Sequence, residues 1–271
     1  MAGFIGQHAI ITGGSSGIGR ATAVRLAREG AHVTIVARGR IRLDEASAAI
    51  AAARIAPEQR VVALVADVTK REQIASAVTA CIEEIGPPDI LMTSAGIAHC
   101  DYFRAVPPEA FERAMATNYF GTLYAIHAAL PAMEPRRRGH LVLMSSGAGL
   151  VGLYGYAAYS PTKFAVRGLG ESLRAELRPR GIHVSIVYPP DTETPQLDQE
   201  RRTKPLETQM ISSRAKTWSA DGVARTIVRG IQREAFTITP GLEMTLLARL
   251  HSVLAPGLNW YFDRLVARAR R

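Results

Sequence analysis

Three polar side chains in the middle of the chain have the types and the spacing that proton transfer to a carbonyl oxygen requires. Ser146 lies thirteen residues before Tyr159, and Tyr159 lies four residues before Lys163. Because residues four apart share one face of a helix, we expect the phenol and the amine to be neighbours. A free tyrosine has a pKa of about 10, and a nearby ammonium lowers that pKa. The set predicts a relay in which Tyr159 exchanges a proton with a substrate oxygen that the Ser146 hydroxyl holds.

A glycine-rich turn near the N-terminus predicts a dinucleotide site. Residues 12–19 read Thr-Gly-Gly-Ser-Ser-Gly-Ile-Gly, between a predicted strand and a predicted helix. Glycines allow a tight turn and a close approach of a pyrophosphate, and the helix N-terminus offers free N–H groups. We expect this turn to bind the cofactor through Gly13, Ser15, Ser16, Gly17, Ile18 and Gly19.

The residues after the second predicted strand indicate which dinucleotide binds. A carboxylate at this point would bind the ribose 2′-hydroxyl of NAD, but the chain has Ala37 and Arg38 here, with Arg40 and Arg42 beyond. A guanidinium matches a 2′-phosphate, so the sequence predicts NADPH, held by Arg38 and Arg42. The alternative is that Arg38 is only a surface arginine. Further cofactor contacts are expected from Asp67, Val68, Ala95, Gly96, Tyr159, Lys163, Pro189, Thr192 and Thr194.

Apolar strands alternate with helices along most of the chain. The predicted strands are 8–12, 32–36, 60–65, 89–93, 140–145, 183–188 and 235–239, and the predicted helices are 17–29, 41–55, 70–85, 109–133, 157–178 and 220–234. This alternation predicts an α/β fold with a Rossmann-like, doubly wound parallel sheet and helices on both faces. We expect one domain over residues 1–240, including a substrate lid at about 190–216, and an amphipathic helical tail over residues 241–271.

Composition restricts the classes of partner and compartment. The chain has 271 residues, two cysteines and a formal net charge of +9. Two isolated cysteines predict neither a disulfide framework nor a metal site, and they favour a reduced compartment. The N-terminus lacks the pattern of a signal peptide, and no apolar run is long enough to span a bilayer. The positive net charge suits an anionic partner, such as a phosphorylated cofactor or an anionic membrane. Because the sequence has no nucleic-acid-binding signature, we expect no nucleic-acid partner.

Over residues 5–240 the chain resembles the short-chain dehydrogenase/reductase family. The resemblance is carried by the glycine turn and by Ser146, Tyr159 and Lys163, together with Asn118. It implies that Asn118 holds a water in the proton relay, although Asn118 could equally be a structural residue that kinks a helix. Residues 93–96 read Thr-Ser-Ala-Gly where the family has Asn-Asn-Ala-Gly. We expect the smaller hydroxyls to brace the sheet in place of the missing amide.

Two strings in the predicted lid are similar to those of 3-ketodihydrosphingosine reductases. Residues 189–195 read Pro-Pro-Asp-Thr-Glu-Thr-Pro, and residues 203–208 read Thr-Lys-Pro-Leu-Glu-Thr. The similarity implies NADPH-dependent reduction of the ketone of a long-chain sphingoid base, with Asp191, Glu193 and Asp198 either meeting the substrate ammonium or simply solvated. The alternatives are a reductase of another hydrophobic ketone or alcohol (a steroid, a retinoid or an acyl chain) and a non-catalytic NADP-binding scaffold.

The tail has the composition of a membrane-interface helix. An apolar stretch over residues 244–254 precedes Pro256 and Gly257, which we expect to break it. Aromatic residues 260–262 and the arginines Arg264, Arg268, Arg270 and Arg271 follow. Aromatic side chains beside arginines suit an anionic interface, which predicts peripheral association on the cytoplasmic side of a membrane. The alternative is a tail that packs on the core or on another subunit of a homo-oligomer, a dimer or a tetramer.

Overall fold

The computed structural model describes residues 3–213 and 216–269, which contain one large parallel sheet and one small strand pair. The order of the large sheet is β3-β2-β1-β4-β5-β6-β9, and β7 pairs with β8. The strands are β1 (His8–Thr12), β2 (His32–Ala37), β3 (Val61–Val65), β4 (Ile90–Thr93), β5 (Gly139–Met144), β6 (Ile182–Val187), β7 (Thr192–Glu193), β8 (Trp218–Ser219) and β9 (Thr237–Ile238). The predicted fold class is confirmed, and most strand ends differ from the predicted ones by a single residue.

Helices cover both faces of the sheet. They are α1 (Gly17–Arg28), α2 (Arg40–Ala51), α3 (Arg71–Ile85), α4 (Pro108–Met115), α5 (Gly121–Met133), α6 (Ser160–Leu177), α7 (Pro195–Glu200), α8 (Leu206–Ser212), α9 (Ala220–Gln232) and α10 (Gly241–Ala269). One apolar core lies between the sheet and α1, α2 and α9, and a second lies between the sheet and α3, α5 and α6. Strands β1, β4 and β5 are buried along their whole length because both of their faces are covered.

The predicted helix 109–133 is interrupted by a π-helical turn, Ala116–Phe120, between α4 and α5. Such turns are frequent at functional sites. Asn118 lies in this turn, and its side chain hydrogen-bonds both the N–H and the carbonyl of Ile97 at 2.8 and 2.9 Å. The turn therefore ties α5 to the segment that follows β4.

Helix α6 begins at Ser160, three residues later than predicted. Tyr159 is therefore the residue before the helix, and Lys163 lies in its first turn. Pro161 also lies in this first turn, where its missing N–H breaks no helical hydrogen bond. Tyr159 and Lys163 are still neighbours, as predicted, but the tyrosine lies at the helix N-terminus instead of inside the helix.

Helix α2 ends at Ala51, although the sequence predicts helix to residue 55. The side chain of Gln59 donates to the carbonyls of Ala27 and Ala31 and accepts from the N–H of Ile55. These bonds fix the segment after Ala51 as a turn, because Gln59 is buried and all of its amide groups need partners. An alanine-rich pattern does not reveal such a contact.

The expectation that hydroxyls brace the sheet after β4 is wrong for Thr93. Its Oγ1 is buried and has no hydrogen-bond partner among the described residues. Ser94 is held at the strand end through its backbone instead, since its N–H donates to the carbonyl of Thr12 at 3.0 Å. The parallel ladder between β1 and β4 provides the connection that a side-chain amide would otherwise supply.

The expected break at Pro256 and Gly257 is also wrong, because α10 runs without interruption from Gly241 to Ala269. An interior proline costs a helix about 3 kcal/mol. Side chains on both sides of Pro256 pack on one apolar cluster of the core, which offsets this cost; they are Met244, Leu247 and Ala248 before it and Leu258 and Phe262 after it. Of the helices in the described part of the chain, none combines the length and apolar character needed to cross a bilayer.

Candidate active site

A cavity of about 1260 Å³ opens at the carboxyl edge of the parallel sheet. The glycine turn after β1, the arginine loop after β2 and the segments after β4, β5 and β6 all contribute to its wall. Ligands of open α/β sheets bind at this edge. The lid and α10 close the opposite side.

The glycine turn has the shape that the sequence predicts. Gly13 has φ +71°, and a Cβ there would lie 2.5 Å from the backbone nitrogen of Ala95, so only glycine fits. The N-cap residue Ser16 makes no side-chain cap hydrogen bond, which leaves the first N–H groups of α1 available to an anion. Gly13, Ser15, Ser16, Gly17 and Ile18 line the cavity.

Gly19 differs from the other members of the predicted turn, because it does not line the cavity. A Cβ on Gly19 would lie 2.4 Å from the carbonyl oxygen of Gly13. The missing side chain of Gly19 lets α1 pack closely on the glycine turn. This packing stabilises the turn on the side away from the cavity.

The arginines after β2 line one end of the cavity. Arg38 and Arg42 both contribute to the wall, and the Arg38 guanidinium lies 4.0 Å from the carboxylate of Asp67. Asp67 does not line the cavity, and its Oδ1 accepts hydrogen bonds from the backbone and hydroxyl of Thr69 at 2.9 Å; its contact with the cofactor stays a prediction. The other predicted cofactor contacts, Val68, Ala95, Gly96, Pro189, Thr192 and Thr194, all line the cavity.

Ser146, Tyr159 and Lys163 meet at the centre of the cavity wall. Tyr159 is 8% exposed and Lys163 is 4% exposed. The Lys163 Nζ lies 5.4 Å from the centroid of the Tyr159 ring and donates to the carbonyl oxygen of Met144 at 2.9 Å. In return, the Ser145 hydroxyl donates to the Lys163 carbonyl at 2.9 Å. These two bonds join the end of β5 to the first turn of α6.

The electrostatics of this pair differ from the sequence-based expectation. Burial raises the pKa of Tyr159, and the carboxylate of Glu200 raises it further, while hydrogen bonding with Ser146 and Gln196 opposes both effects. Burial lowers the pKa of Lys163 to about 8, partly opposed by Glu200. We expected the amine to lower the pKa of the phenol, but loss of water around the buried phenolate has the largest effect on that pKa and raises it.

Asn118 lies behind the cavity wall rather than in it. Its Nδ2 donates to the Ile97 carbonyl and to the Thr162 hydroxyl, so both amide protons are used. A Cβ on Gly96 would lie 3.3 Å from the Asn118 Oδ1 and 3.7 Å from the Lys163 Nζ. Asn118 can therefore bind a water only as an acceptor, and its place in the relay stays a prediction.

The acidic residue that faces the catalytic pair is one that the sequence reasoning missed. Glu200 lines the cavity, whereas Glu193 and Asp198 are exposed and do not. Asp191 lines the cavity but pairs with the buried Lys204 at 3.6 Å. The sequence feature that could have indicated Glu200 is its four-residue spacing from Gln196, which places both side chains on one face of α7.

Apolar side chains form the wall on the side of the lid and the tail. They come from the segment after β5 (Val151, Leu153), from the lid (Leu197, Ile211) and from α10 (Met244, Leu247, Leu258, Phe262). The lid contains the short helices α7 and α8. They are hard to recognise in the sequence because this segment is polar and contains prolines. The cavity is therefore polar around the catalytic pair and apolar beyond it.

Comparison with known proteins agrees with this geometry. The short chain dehydrogenase family matches residues 7–205. A 3-dehydrosphinganine reductase of Danio rerio is 38% identical over 93% of this chain and 76% of its own length. A 3-ketodihydrosphingosine reductase of Bos taurus shows the same identity and coverage, and a 3-dehydrosphinganine reductase of Arabidopsis thaliana is 38% identical over 94% of this chain and 77% of its own length.

Solved structures show the same fold. The crystal structure of levodione reductase has a TM-score of 0.79 at 27% identity and covers 87% of this chain and 95% of its own. A short chain dehydrogenase from Mycobacterium paratuberculosis bound to NAD has a TM-score of 0.77 at 27% identity and covers 87% of this chain and 96% of its own. The resemblance found in the sequence is thus confirmed. The chain belongs to the short-chain dehydrogenase family and is an oxidoreductase that acts on a CH–OH/C=O group.

Proposed function

We propose that the protein reduces 3-ketodihydrosphingosine to dihydrosphingosine with NADPH, a step of sphingolipid biosynthesis. The observation that carries this proposal is the cavity itself. It holds Ser146, Tyr159 and Lys163 in a polar part and continues into an apolar part formed by the lid and α10. A polar head with a ketone and a long alkyl chain matches this division. The names of the three relatives support the same substrate.

Each residue of the site has a distinct part in the proposed reduction. Bound NADPH supplies a hydride to the carbonyl carbon. The Ser146 hydroxyl donates to the carbonyl oxygen and orients it, and Tyr159 gives its phenolic proton to the same oxygen. The raised pKa of Tyr159 keeps the phenol protonated at neutral pH, which suits a proton donor. Lys163 holds the ribose of the nicotinamide, and Asn118 holds a water through which the phenol regains its proton.

Substitution of the proposed acid tests these roles. Tyr159→Phe is expected to lower kcat by about a thousandfold, because a general acid contributes about 10²- to 10⁴-fold. NADPH is expected to bind still, with a Kd, measured by fluorescence, that changes far less than kcat. Tyr124→Phe on α5, outside the cavity, is the matched control and should retain full activity. Turnover of Tyr159→Phe at the wild-type rate would refute the assignment.

A direct assay tests the substrate. The purified protein is expected to consume NADPH with 3-ketodihydrosphingosine, and kcat/KM for this ketone should exceed that for a steroid, a retinal and a long-chain acyl ketone. The apolar wall alone would accept all four, so the preference must come from the polar part of the cavity. A higher kcat/KM for one of the other ketones would transfer the assignment to that substrate, and no consumption with any ketone would favour the NADP-binding scaffold.

The preference for NADPH over NADH is proposed from the arginine loop. No carboxylate follows β2 in the sequence, and Arg38 and Arg42 line the end of the cavity next to the glycine turn. Arg38 is exposed, and its distance of 4.0 Å from Asp67 is too long for a hydrogen bond, so its guanidinium has donors to offer. A 2′-phosphate would accept them and would offset the charge of the two arginines.

Removal of Arg38 tests the cofactor preference. Arg38→Ala is expected to raise the Kd of NADPH about 10- to 100-fold and that of NADH by less than about threefold, because a hydrogen bond to a charged group contributes about 1.5–3 kcal/mol. Arg229→Ala, which removes an exposed arginine of α9, is the control for net charge. Equal losses for both cofactors would show that Arg38 does not bind the 2′-phosphate.

We also propose that α10 places the protein on the cytoplasmic surface of a membrane. One face of this helix packs on the core, and the opposite face exposes Leu242, Leu246, Leu250, Val253 and Trp260. Leu242 and Val253 are 73% and 79% exposed. The exposed Arg264 stacks on Trp260 at 4.1 Å, so aromatic and basic groups lie together as an anionic interface favours. Arg270 and Arg271 lie outside the described residues.

Vesicle binding tests this proposal against the alternative of a homo-oligomer. The double variant Leu242→Glu/Val253→Glu is expected to reduce cosedimentation with phosphatidylcholine–phosphatidylserine vesicles at least about tenfold, because two large aliphatic groups lose their apolar contact. Ile5→Glu/Ile55→Glu, which alters two exposed isoleucines elsewhere, is the control. Unchanged vesicle binding together with a smaller particle in size-exclusion chromatography would instead assign this face to a subunit interface.

A further inference from the structure

A buried carboxylate faces the catalytic tyrosine from the lid. Glu200, the last residue of α7, is 7% exposed and lines the cavity. The Tyr156 hydroxyl donates to its Oε2 at 2.7 Å, and the Gln196 side chain donates to its Oε1 at 2.9 Å. Each carboxylate oxygen can accept further hydrogen bonds after these two. The carboxylate is thus held in place by neutral donors and retains acceptor capacity.

In the described part of the chain, the Glu200 carboxylate is in direct contact with no cation. Within residues 3–213 and 216–269, no nitrogen of a lysine, arginine or histidine lies within 4.0 Å of its carboxylate. Lys204, the buried cation four residues along the chain, pairs with Asp191 instead. A buried carboxylate without a cation is costly. A bound cation would remove that cost.

The carboxylate lies close to the catalytic pair. Gln196 hydrogen-bonds Glu200, Tyr156 hydrogen-bonds Glu200 as well, and the rings of Tyr156 and Tyr159 lie 5.7 Å apart. Glu200 acts electrostatically on both Tyr159 and Lys163. Glu200 and Tyr159 both line the cavity, so the cation and the carbonyl of a single ligand can meet them together.

We propose that Glu200 binds an ammonium group on the carbon next to the ketone, so that the site selects long-chain 2-amino ketones over ketones of the same length without the amine. This inference rests on the proposed function and adds the recognition of the head group to it. In 3-ketodihydrosphingosine the amine-bearing carbon is bonded directly to the carbonyl carbon. The ammonium and the carbonyl oxygen are thus close enough to meet Glu200 and Tyr159 together. Tyr156 is a positioning residue that orients the carboxylate.

The test uses Glu200→Gln, which keeps the size of the side chain and removes its charge. We expect kcat/KM for 3-ketodihydrosphingosine to fall about 10- to 100-fold, as for loss of a hydrogen bond between charged groups. With the deamino analogue, in which hydrogen replaces the amino group, kcat/KM should fall by a much smaller factor, since only the electrostatic effect of Glu200 on Tyr159 and Lys163 is lost. Asp198→Asn removes one exposed charge from the same helix and is the matched control for both substrates.

Binding at equilibrium gives a second readout. Calorimetry should show that Glu200→Gln weakens dihydrosphingosine binding by a similar factor, while the Kd of NADPH stays the same. Equal losses of kcat/KM for both ketones would mean a structural role and would overturn the proposal, as would no loss for either. If wild type reduces neither ketone, the proposed function fails.

The wild-type protein alone also decides the question if Glu200→Gln does not fold. The proposal requires that kcat/KM for 3-ketodihydrosphingosine exceed that for the deamino analogue at least about tenfold, the equivalent of about 1.4 kcal/mol. Reduction of both ketones with equal kcat/KM would leave the proposed reductase activity intact and refute ammonium recognition.

Discussion

The site depends on one buried ammonium at the end of β5. Lys163 reaches back from the first turn of α6 to the carbonyl of Met144, and Ser145 reaches forward to the carbonyl of Lys163. These reciprocal bonds fix a strand end against a helix start, and they thereby fix Ser146 and Tyr159, which flank them in the chain. A misplacement of about 1 Å in such an arrangement costs a large factor in rate. The precision of the site therefore comes from backbone groups that a sequence pattern does not display.

Burial of this pair also determines which proton state the site favours. Loss of water disfavours both charged forms, the phenolate of Tyr159 and the ammonium of Lys163, so their pKa values move in opposite directions. A neutral, protonated phenol is the form required for donating a proton to a ketone. Glu200 reinforces the effect on Tyr159 from across the cavity. A protonated phenol is thus the favoured state of this site, which agrees with the proposed role of Tyr159 as a proton donor.

The sequence predicted the sheet and the proximity of Tyr159 and Lys163 well because both follow short-range rules. Strands buried on both faces are continuous apolar runs, and a four-residue spacing brings Tyr159 and Lys163 together whether or not Tyr159 is inside the helix. Two features were missed because distant segments determine them. Gln59 ends α2 through contacts with α1 and the turn after it, and α10 continues through Pro256 because the core holds both halves. In each case a tertiary contact outweighed a local preference.

The continuity of α10 connects the two ends of the proposed substrate path. If the helix broke at Pro256, Leu258 and Phe262 would not be held in register with Met244 and Leu247, and the apolar wall of the cavity would be incomplete. The same helix carries its exposed leucines along the opposite face. A single element therefore lines the cavity on one side and presents an apolar surface on the other. Under the proposed function, α10 would therefore contact the alkyl chain inside the cavity and the lipid surface outside it.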